Sequence, residues 1–521
     1  MIERDPKYYV TGYKGDDPYQ APFYLRSLIF DGEGGDYNTR LIDLFNSLLG
    51  EKDLFREFCL EKEPSLNKLP KKIVIINASH DDLPTSYETA RVFNELCAEK
   101  GWKIRSTVVN THDELMKEVN EYPGSTLVMS QCVDKNVYNV SVAMDLESMG
   151  AVIVPGQETA PGSVFSDKDS TYRLLSNDGK NWDKVAMYKK IPVEGKSIKA
   201  VVGDMFDAVD ELIEETGDDT FFVKPHEGGG GLGGFRITKA GDGYIIPDLS
   251  KVSGDISEIH PTFIDLDTSN EAKMKELLWI YRLFFSDEKM RSSYLHLDLP
   301  IEGADDAVAL KILKDYLEGC AGKRREKLAK MIIDRQLAEE KLVSSLEIFE
   351  KKFQRRYIPL VNEHIDFGLW GLRSHYRLSS NGPRLETIYH RIFQLGFAEE
   401  GIGYLGADNI SNKQTGELEI LRLGPVNEIM VGAIGGEKVL FDILLKGADA
   451  LVSLAKLLPE DEKNRVPIRL QLDLATVSQK IGEGNADTAR GMCLASRWTE
   501  FVRNGREWLE DSLRYYAWKK R

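Results

Sequence analysis

Six glycines in the seven positions from Gly228 to Gly234 follow a short apolar strand that carries a lysine, Thr220-Phe221-Phe222-Val223-Lys224-Pro225. Glycine permits positive φ and lets successive backbone N–H groups close on an anion, so strand, lysine, glycine loop and a return strand over Phe235–Thr238 read as a cover for phosphate. A plain hairpin turn needs about two glycines, and the conformational entropy that six lose on ordering demands another reason for them. Upstream, Lys168 opens a helix that follows Pro161-Gly162-Ser163. Two lysines that reach one triphosphate from different elements neutralise it and orient its reacting phosphate. His226, beside Lys224, is open either to contact with substrate or phosphate or to packing. The loop lacks a closing Gly-Lys-Ser/Thr and no helix opens directly after it, which excludes a Walker loop and a dinucleotide fingerprint. His-Arg-Asp and Asp-Phe-Gly signatures are missing downstream, so the glycine loop of protein kinases does not fit.

The elements around this loop fall into recognisable blocks. From Lys72, short apolar runs alternate with amphipathic stretches of helical length: Ile73–Asn77, Ser86–Lys100, Ile104–Val109, His112–Val119, Thr126–Ser130, Asn136–Met149 and Val152–Pro155. That pattern predicts a parallel βαβ sheet with ligands favoured at the carboxyl ends of its strands. His80, Asp81 and Asp82 fall on that rim, for substrate contact or for ordinary solvation. A helical region follows Tyr244, with one helix expected over Glu271–Asp287. Arg324–Arg356, free of Gly and Pro, spaces Leu328, Ile332, Leu342, Leu346, Phe349 and Phe353 as a helical hairpin or coiled-coil seam, an insert for structure or oligomerisation or a lid over substrate. Strands resume at Tyr357–Val361, and Leu372–Leu378 with Arg384–His390 flank the turn residues Ser379–Pro383. Residues 1–70 read as an N-terminal extension with a helix around Thr39–Leu49, and residues 437–521 as a largely helical C-terminal region.

A chain of 521 residues suits about three structural units. Sixty-eight basic and eighty-four acidic side chains leave a net charge of −16, which opposes nucleic acid and anionic membranes as partners but permits a local basic pocket. Five scattered cysteines without Cys-x-x-Cys spacing suggest neither a disulfide framework nor a zinc site. With no signal-like N-terminus and no long apolar run, a cytoplasmic location is expected.

Asp167-Lys168, Phe222-Val223-Lys224-Pro225 and the glycine loop resemble the ATP-grasp superfamily, in which two α+β subdomains clasp ATP beside a preceding βαβ domain. Asn362-Glu363-His364-Ile365 resembles the family's hinge. Arg373 and Arg391 resemble the paired arginines of the glutathione synthetase and ribosomal-protein glutamate ligase branch, and Gly406-Ala407-Asp408 its late Gly-x-Asp strand. The resemblance spans roughly residues 72–240 and 356–436. It implies an α/β and α+β architecture with domains at 71–156, 157–250 and 356–436, a helical insertion at 251–355 and a helical C-terminal extension.

By the same resemblance, Lys168 and Lys224 contact the phosphates of ATP, and Gly228, Gly229, Gly230, Gly231 and Gly233 close over them. Backbone at Glu363, His364 and Ile365 meets adenine, and Asp366 accepts from ribose. Arg373 and Arg391 hold an acyl phosphate or an acceptor carboxylate, a task suited to the guanidinium fork. Asp408, Glu419 and Asn427, or Glu428 in its place, carry Mg2+. The sequence departs from the family pattern in two places. The family's metal strand usually ends Glu-x-Asn, whereas Glu419 is followed by Ile420-Leu421, and the acidic residue usual two before the first arginine is replaced by Gly371. The implied reaction is ATP-dependent ligation of a carboxylate to an amine on small-molecule or peptide substrates. A small-molecule kinase and a non-catalytic ATP-binding scaffold stay open as alternatives.

Overall fold

The computed structural model describes residues 35–50, 69–77, 83–131, 138–154, 168–177, 179–181, 183–226, 234–246, 263–285, 297–353, 356–365, 367–379, 382–393, 395–404, 423–457, 469–478, 480–485 and 498–520. Among the described residues, helix α1 (Gly35–Leu49) comes first. The alternating block follows as β1 (Lys72–Asn77), α2 (Leu83–Glu99), β2 (Arg105–Val109), α3 (His112–Glu121), β3 (Thr126–Gln131), α4 (Val140–Ser148) and β4 (Val152–Ile153). Its strands are all parallel, in the order β2-β1-β3-β4. Continuous apolar runs suit such a sheet, because Ile73 and Ile75 pack into a core on one face while Val74 and Ile76 pack into a core on the other. Helix α3 starts at a reciprocal capping box of Thr111 and Glu114, and α4 starts where the Asn139 side chain accepts from the Val142 N–H.

The first lobe comprises α5 (Lys168–Leu175), β5 (Tyr188–Lys190), α6 (Ile198–Thr216), β6 (Thr220–Pro225), β7 (Phe235–Ala240) and β8 (Gly243–Ile245). After the insertion helices α7 (Glu271–Phe285), α8 (Asp306–Met331) and α9 (Arg335–Phe353), β9 (Pro359–Glu363) returns to this lobe. The result is an antiparallel sheet ordered β5-β9-β6-β7-β8. Its inner face, with Phe221, Val223 and Val361, packs on Val201, Phe206 and Val209 of α6 and on Leu342 and Leu346 of α9.

The stretch read as a helical hairpin or a coiled-coil seam is divided between α8 and α9. Ile333 exchanges both backbone hydrogen bonds with Tyr244 at 2.8 and 3.0 Å, and Asp334 then caps α9 by accepting from the Leu337 N–H at 2.9 Å. Gly243 permits this crossing, because a Cβ there would lie 2.7 Å from the Ile333 carbonyl oxygen. Leu342 and Leu346 face the chain's own core, while Ala309 and Leu313 of α8 and Leu277 and Tyr281 of α7 join the core of the second lobe.

That second lobe holds β10 (Trp370–Ser379), β11 (Gly382–Ile392), the small hairpin β12 (Leu395–Ala398) and β13 (Gly401–Tyr404), β14 (Leu423–Gly424), α10 (Glu428–Ala433) and α11 (Glu437–Leu457). The C-terminal stretch adds β15 (Arg469–Leu474) and β16 (Ile481–Asn485) before the last helix, α12 (Trp498–Lys519). Both of its strands enter the lobe's sheet, ordered β14-β11-β10-β15-β16, so this stretch supplies sheet as well as helix.

Helix α12 binds two bodies at once. Trp508, Leu509, Leu513 and Tyr515 pack with Phe93 and Ile75 of the parallel-sheet domain. Asp511, fully buried, accepts from the Arg377 guanidinium at 2.7 and 2.6 Å and from Arg469 at 3.1 Å, both on the second-lobe sheet. Among the described residues no helix is long and apolar enough to cross a membrane.

Candidate active site

Alternation along β6 sends Phe221 and Val223 into the core and turns Phe222 and Lys224 to the opposite face. The Lys224 ammonium donates to the Tyr172 hydroxyl at 2.6 Å and lies 4.9 Å from that ring's centre. Tyr172 belongs to α5, whose first residue is Lys168. The Lys168 backbone N–H meets the His226 carbonyl at 3.3 Å, and its Nζ reaches the Pro225 carbonyl at 3.4 Å. The two lysines thus flank the point where the chain leaves β6 for the glycine loop.

Asp169 fixes the helix that carries Lys168. Its carboxylate accepts from the Tyr188 hydroxyl at 2.6 Å and from Lys190 Nζ at 2.8 Å, both on β5. Burial acts to raise the Asp169 pKa, but the hydrogen bonds from Lys190 and Tyr188 outweigh it and hold the carboxyl below its ordinary range. The Tyr172 and Tyr188 rings meet edge to face at 5.3 Å.

Glu363, His364 and Ile365, the residues expected at the hinge, lie at the end of β9. The Glu363 N–H bonds the Met187 carbonyl at 2.7 Å. The Glu363 carboxylate accepts from the Met187 N–H at 3.0 Å and from Lys480 at 2.7 and 2.6 Å. Since Lys480 leads into β16, this carboxylate ties the two antiparallel sheets together. His364 Nε2 accepts from Arg236 Nε at 3.0 Å. Burial first, and then the Arg236 charge, push the His364 pKa down to about 3, so the imidazole is neutral. Ile365 follows directly. Asn362 is 2% exposed, shares the Lys224 face of the sheet, and its carboxamide nitrogen and oxygen have no partner among the described residues.

On the second sheet, Arg373 pairs across β10 and β11 with Tyr389 and across β10 and β15 with Asp473. The guanidinium grips Asp473 in a bidentate pair, Nε to Oδ1 at 2.5 Å and the second nitrogen to Oδ2 at 2.7 Å. Arg391, opposite Gly371, shares this face by register, as does His375, whose Nε2 lies 3.2 Å from the Tyr389 hydroxyl. Burial acts to raise the Asp473 pKa, but the charges of Arg373, Arg391 and His375 prevail and keep the carboxyl below its usual range. A Cβ at Gly371 would come 3.2 Å from the Phe367 ring, which would have to shift by a few tenths of an ångström to admit it.

Gly228, Gly229, Gly230, Gly231, Gly233, Asp366, Asp408 and Glu419 lie outside the described residues. Asn427 caps α10, its Oδ1 accepting from the Met430 N–H at 3.0 Å. No group of three or more His, Cys, Asp and Glu among the described residues is arranged to hold a metal. Sequence reasoning misses Asp473, but a signal stands beside it. Glu483-Gly484-Asn485 is a Glu-x-Asn on β16, and the register sets Glu483 directly across from Asp473 and Asn485 across from Gln471.

The structure therefore has the expected architecture: a βαβ domain, then two α+β lobes, one presenting Lys168 and Lys224 and the other Arg373 and Arg391. No family model matches the chain, and no curated protein does. Among solved structures, the chain is similar to a D-alanine–D-alanine ligase from Bacillus anthracis, at 10% identity and a TM-score of 0.41, over 87% of this chain and 99% of that one. It is similar to the D-cycloserine synthetase DcsG at 9% identity and a TM-score of 0.42, over 85% of this chain and 99% of that one. A biotin carboxylase from Campylobacter jejuni shares 8% identity with a TM-score of 0.40, over 86% of this chain and 72% of that one.

Proposed function

We propose that the protein is an ATP-dependent carboxylate–amine ligase of ATP-grasp type, and the observation that carries this reading is the meeting of Lys168 and Lys224 at the root of the glycine loop. Lys168 and Lys224 bind the phosphates from two sides, and the glycine loop covers them. The backbone of His364 and Ile365, beyond the Glu363 joint, receives the base. Arg391, with Arg373 beside it, orients the anionic substrate. A substrate carboxylate oxygen attacks the γ-phosphorus and ADP departs; an amine nitrogen then attacks the acyl carbon, inorganic phosphate leaves, the amide forms and the amine gives up a proton. Two lysines and two arginines stabilise charge on the transferring group, and closure of the loop keeps water from the acyl phosphate.

The same reading implies Mg2+, for which Asp408, Glu419 and Asn427 are the ligands expected from the resemblance. When bound, the ion neutralises phosphate charge and polarises the phosphoryl oxygens.

Phosphate release from ATP, measured over a panel of carboxylic acids with and without amines and with hydroxylamine as a trap, tests the reaction. An amine-dependent amide and a hydroxamate in the trap are expected. A phosphorylated hydroxyl product formed without any amine would overturn the ligase reading.

A further inference from the structure

Asn362 is 2% exposed, and neither polar atom of its carboxamide has a hydrogen-bond partner among the described residues. A buried amide in this state has given up its bonds to water without replacing them, which a fold tolerates only for a reason. Its neighbours on the sheet do not supply a partner. Asn362 stands opposite Tyr188 on β5 and Phe222 on β6, so the three share one face of the first-lobe sheet with Leu360 and Lys224. The Tyr188 hydroxyl is committed to Asp169 at 2.6 Å and His364 Nε2 to Arg236 at 3.0 Å, while Phe222 and Leu360 offer no polar side-chain group. Tyr188, Phe222 and His364 are only half-buried, so the carboxamide lies just beneath this face and not in the lobe's core on the other side.

Lys224 pairs with Leu360, two residues before Asn362, and His364 lies two residues after it. Along the strand direction Asn362 is therefore about 7 Å both from the lysine proposed to bind phosphate and from the backbone proposed to receive the base. We propose that Asn362 reads the base: its Nδ2 donates to N7 of adenine and its Oδ1 accepts from the N6 amino group, which makes it a specificity-determining residue for ATP over GTP. This rests on ATP binding to the Lys168 and Lys224 face, as proposed above. A carboxamide has one donating and one accepting end. A phosphate oxygen satisfies only the first, whereas adenine sets an acceptor and a donor side by side on one edge and satisfies both with a single planar group. Guanine carries two acceptors on that edge, N7 and O6, so one of them faces Oδ1 and repels it. Because the amide is already out of water, pairing with adenine restores bonds that the free protein lacks.

The test uses the full chain and calorimetric titration with ATP, 7-deaza-ATP and GTP, without carboxylate or amine, so the readout does not depend on ligation. 7-Deaza-ATP has a carbon in place of N7 and is expected to bind about tenfold more weakly than ATP, the loss of one hydrogen bond to a buried amide. GTP is expected to bind at least as weakly. In Asn362→Leu, ATP and 7-deaza-ATP should bind alike. That variant should also melt higher than the parent when no nucleotide is present, because it removes a buried amide without a partner; an amide kept for the fold alone would make it melt lower. The comparison of nucleotides in the parent needs no variant, so a leucine chain that failed to fold would leave the test standing on it. ATP and 7-deaza-ATP bound equally by the parent would overturn the role of Asn362 and leave the nucleotide site intact. A tenfold difference that survives in a folded Asn362→Leu would assign N7 to another residue and overturn the role equally. A parent that binds none of the three would overturn the nucleotide site itself, and this role with it.

Discussion

Glu363 and Lys480 form the joint between the two antiparallel sheets, with the ammonium 2.7 and 2.6 Å from the two carboxylate oxygens. The joint is reinforced next door, where the Ile481 N–H bonds the Lys184 carbonyl at 2.7 Å. Glu363→Gln should lower stability by about 1–3 kcal/mol, the range for a partly buried charged hydrogen bond that is lost. It should also weaken ATP binding, because the backbone at His364 and Ile365 loses its anchor. Urea unfolding and calorimetric titration with a slowly hydrolysed ATP analogue check both effects. A double-mutant cycle with Lys480→Met then isolates the pair: the second substitution should add little to the first.

Lys224→Met should leave the fold intact and lower nucleotide affinity by roughly tenfold to a hundredfold, the loss of one charge-assisted hydrogen bond to phosphate. Its ammonium contacts Tyr172, whose ring stays packed against Tyr188. Titration calorimetry beside a thermal melt separates the two quantities. Unchanged ATP affinity would remove Lys224 from the site.

Arg377 and Arg469 stand directly opposite each other on β10 and β15, a like-charge pair that by itself opposes strand pairing. Asp511 from α12 lies between them, and Glu386 takes the rest of Arg469 at 2.7 and 2.9 Å. Asp511→Asn should therefore cost about 3–5 kcal/mol, the scale for breaking a buried ion pair from one side. Since α12 also packs on the parallel-sheet domain, the variant should loosen that domain as well. Hydrogen exchange across α2 and β15 would show protection lost in both, whereas loss confined to β15 would contradict a coupling role for the helix.

What the sequence reveals and what it hides divide along contact range. The strand that carries Lys224 is legible because its apolar alternation lies in consecutive residues, and β1 to β4 because each strand is an unbroken apolar run. Capping at Thr111 and Glu114 is written within four positions. Asp473 is hidden because it reaches Arg373 only through the pairing of strands 100 residues apart, and Asp511 meets Arg377 across 134 residues. Glu363 ends β9, and the Lys480 that occupies its carboxylate comes from a stretch whose local pattern reads as helix. The break in the insertion at Ile333 depends on Tyr244, a partner that no helical periodicity discloses.

Stability should fall as the solution is acidified from neutrality, because two histidines are held neutral in the fold. Burial and Arg236 depress the His364 pKa to about 3, and burial depresses that of His390 to about 4, against the ordinary 6.5. Below pH of about 6.5 the unfolded chain takes up protons that the folded chain refuses, so stability is lost on the way down towards the folded pKa values and is fully present above 6.5. Each histidine contributes a slope of up to about 1.4 kcal/mol per pH unit within that window. His364→Gln, which keeps an acceptor for Arg236, should reduce the slope between pH 6 and 5 by about half of the combined histidine contribution. Urea unfolding at the two pH values measures it. An unaltered slope in the variant would mean that His364 is protonated in the folded protein, and the neutral acceptor assigned to it beside Arg236 would be wrong.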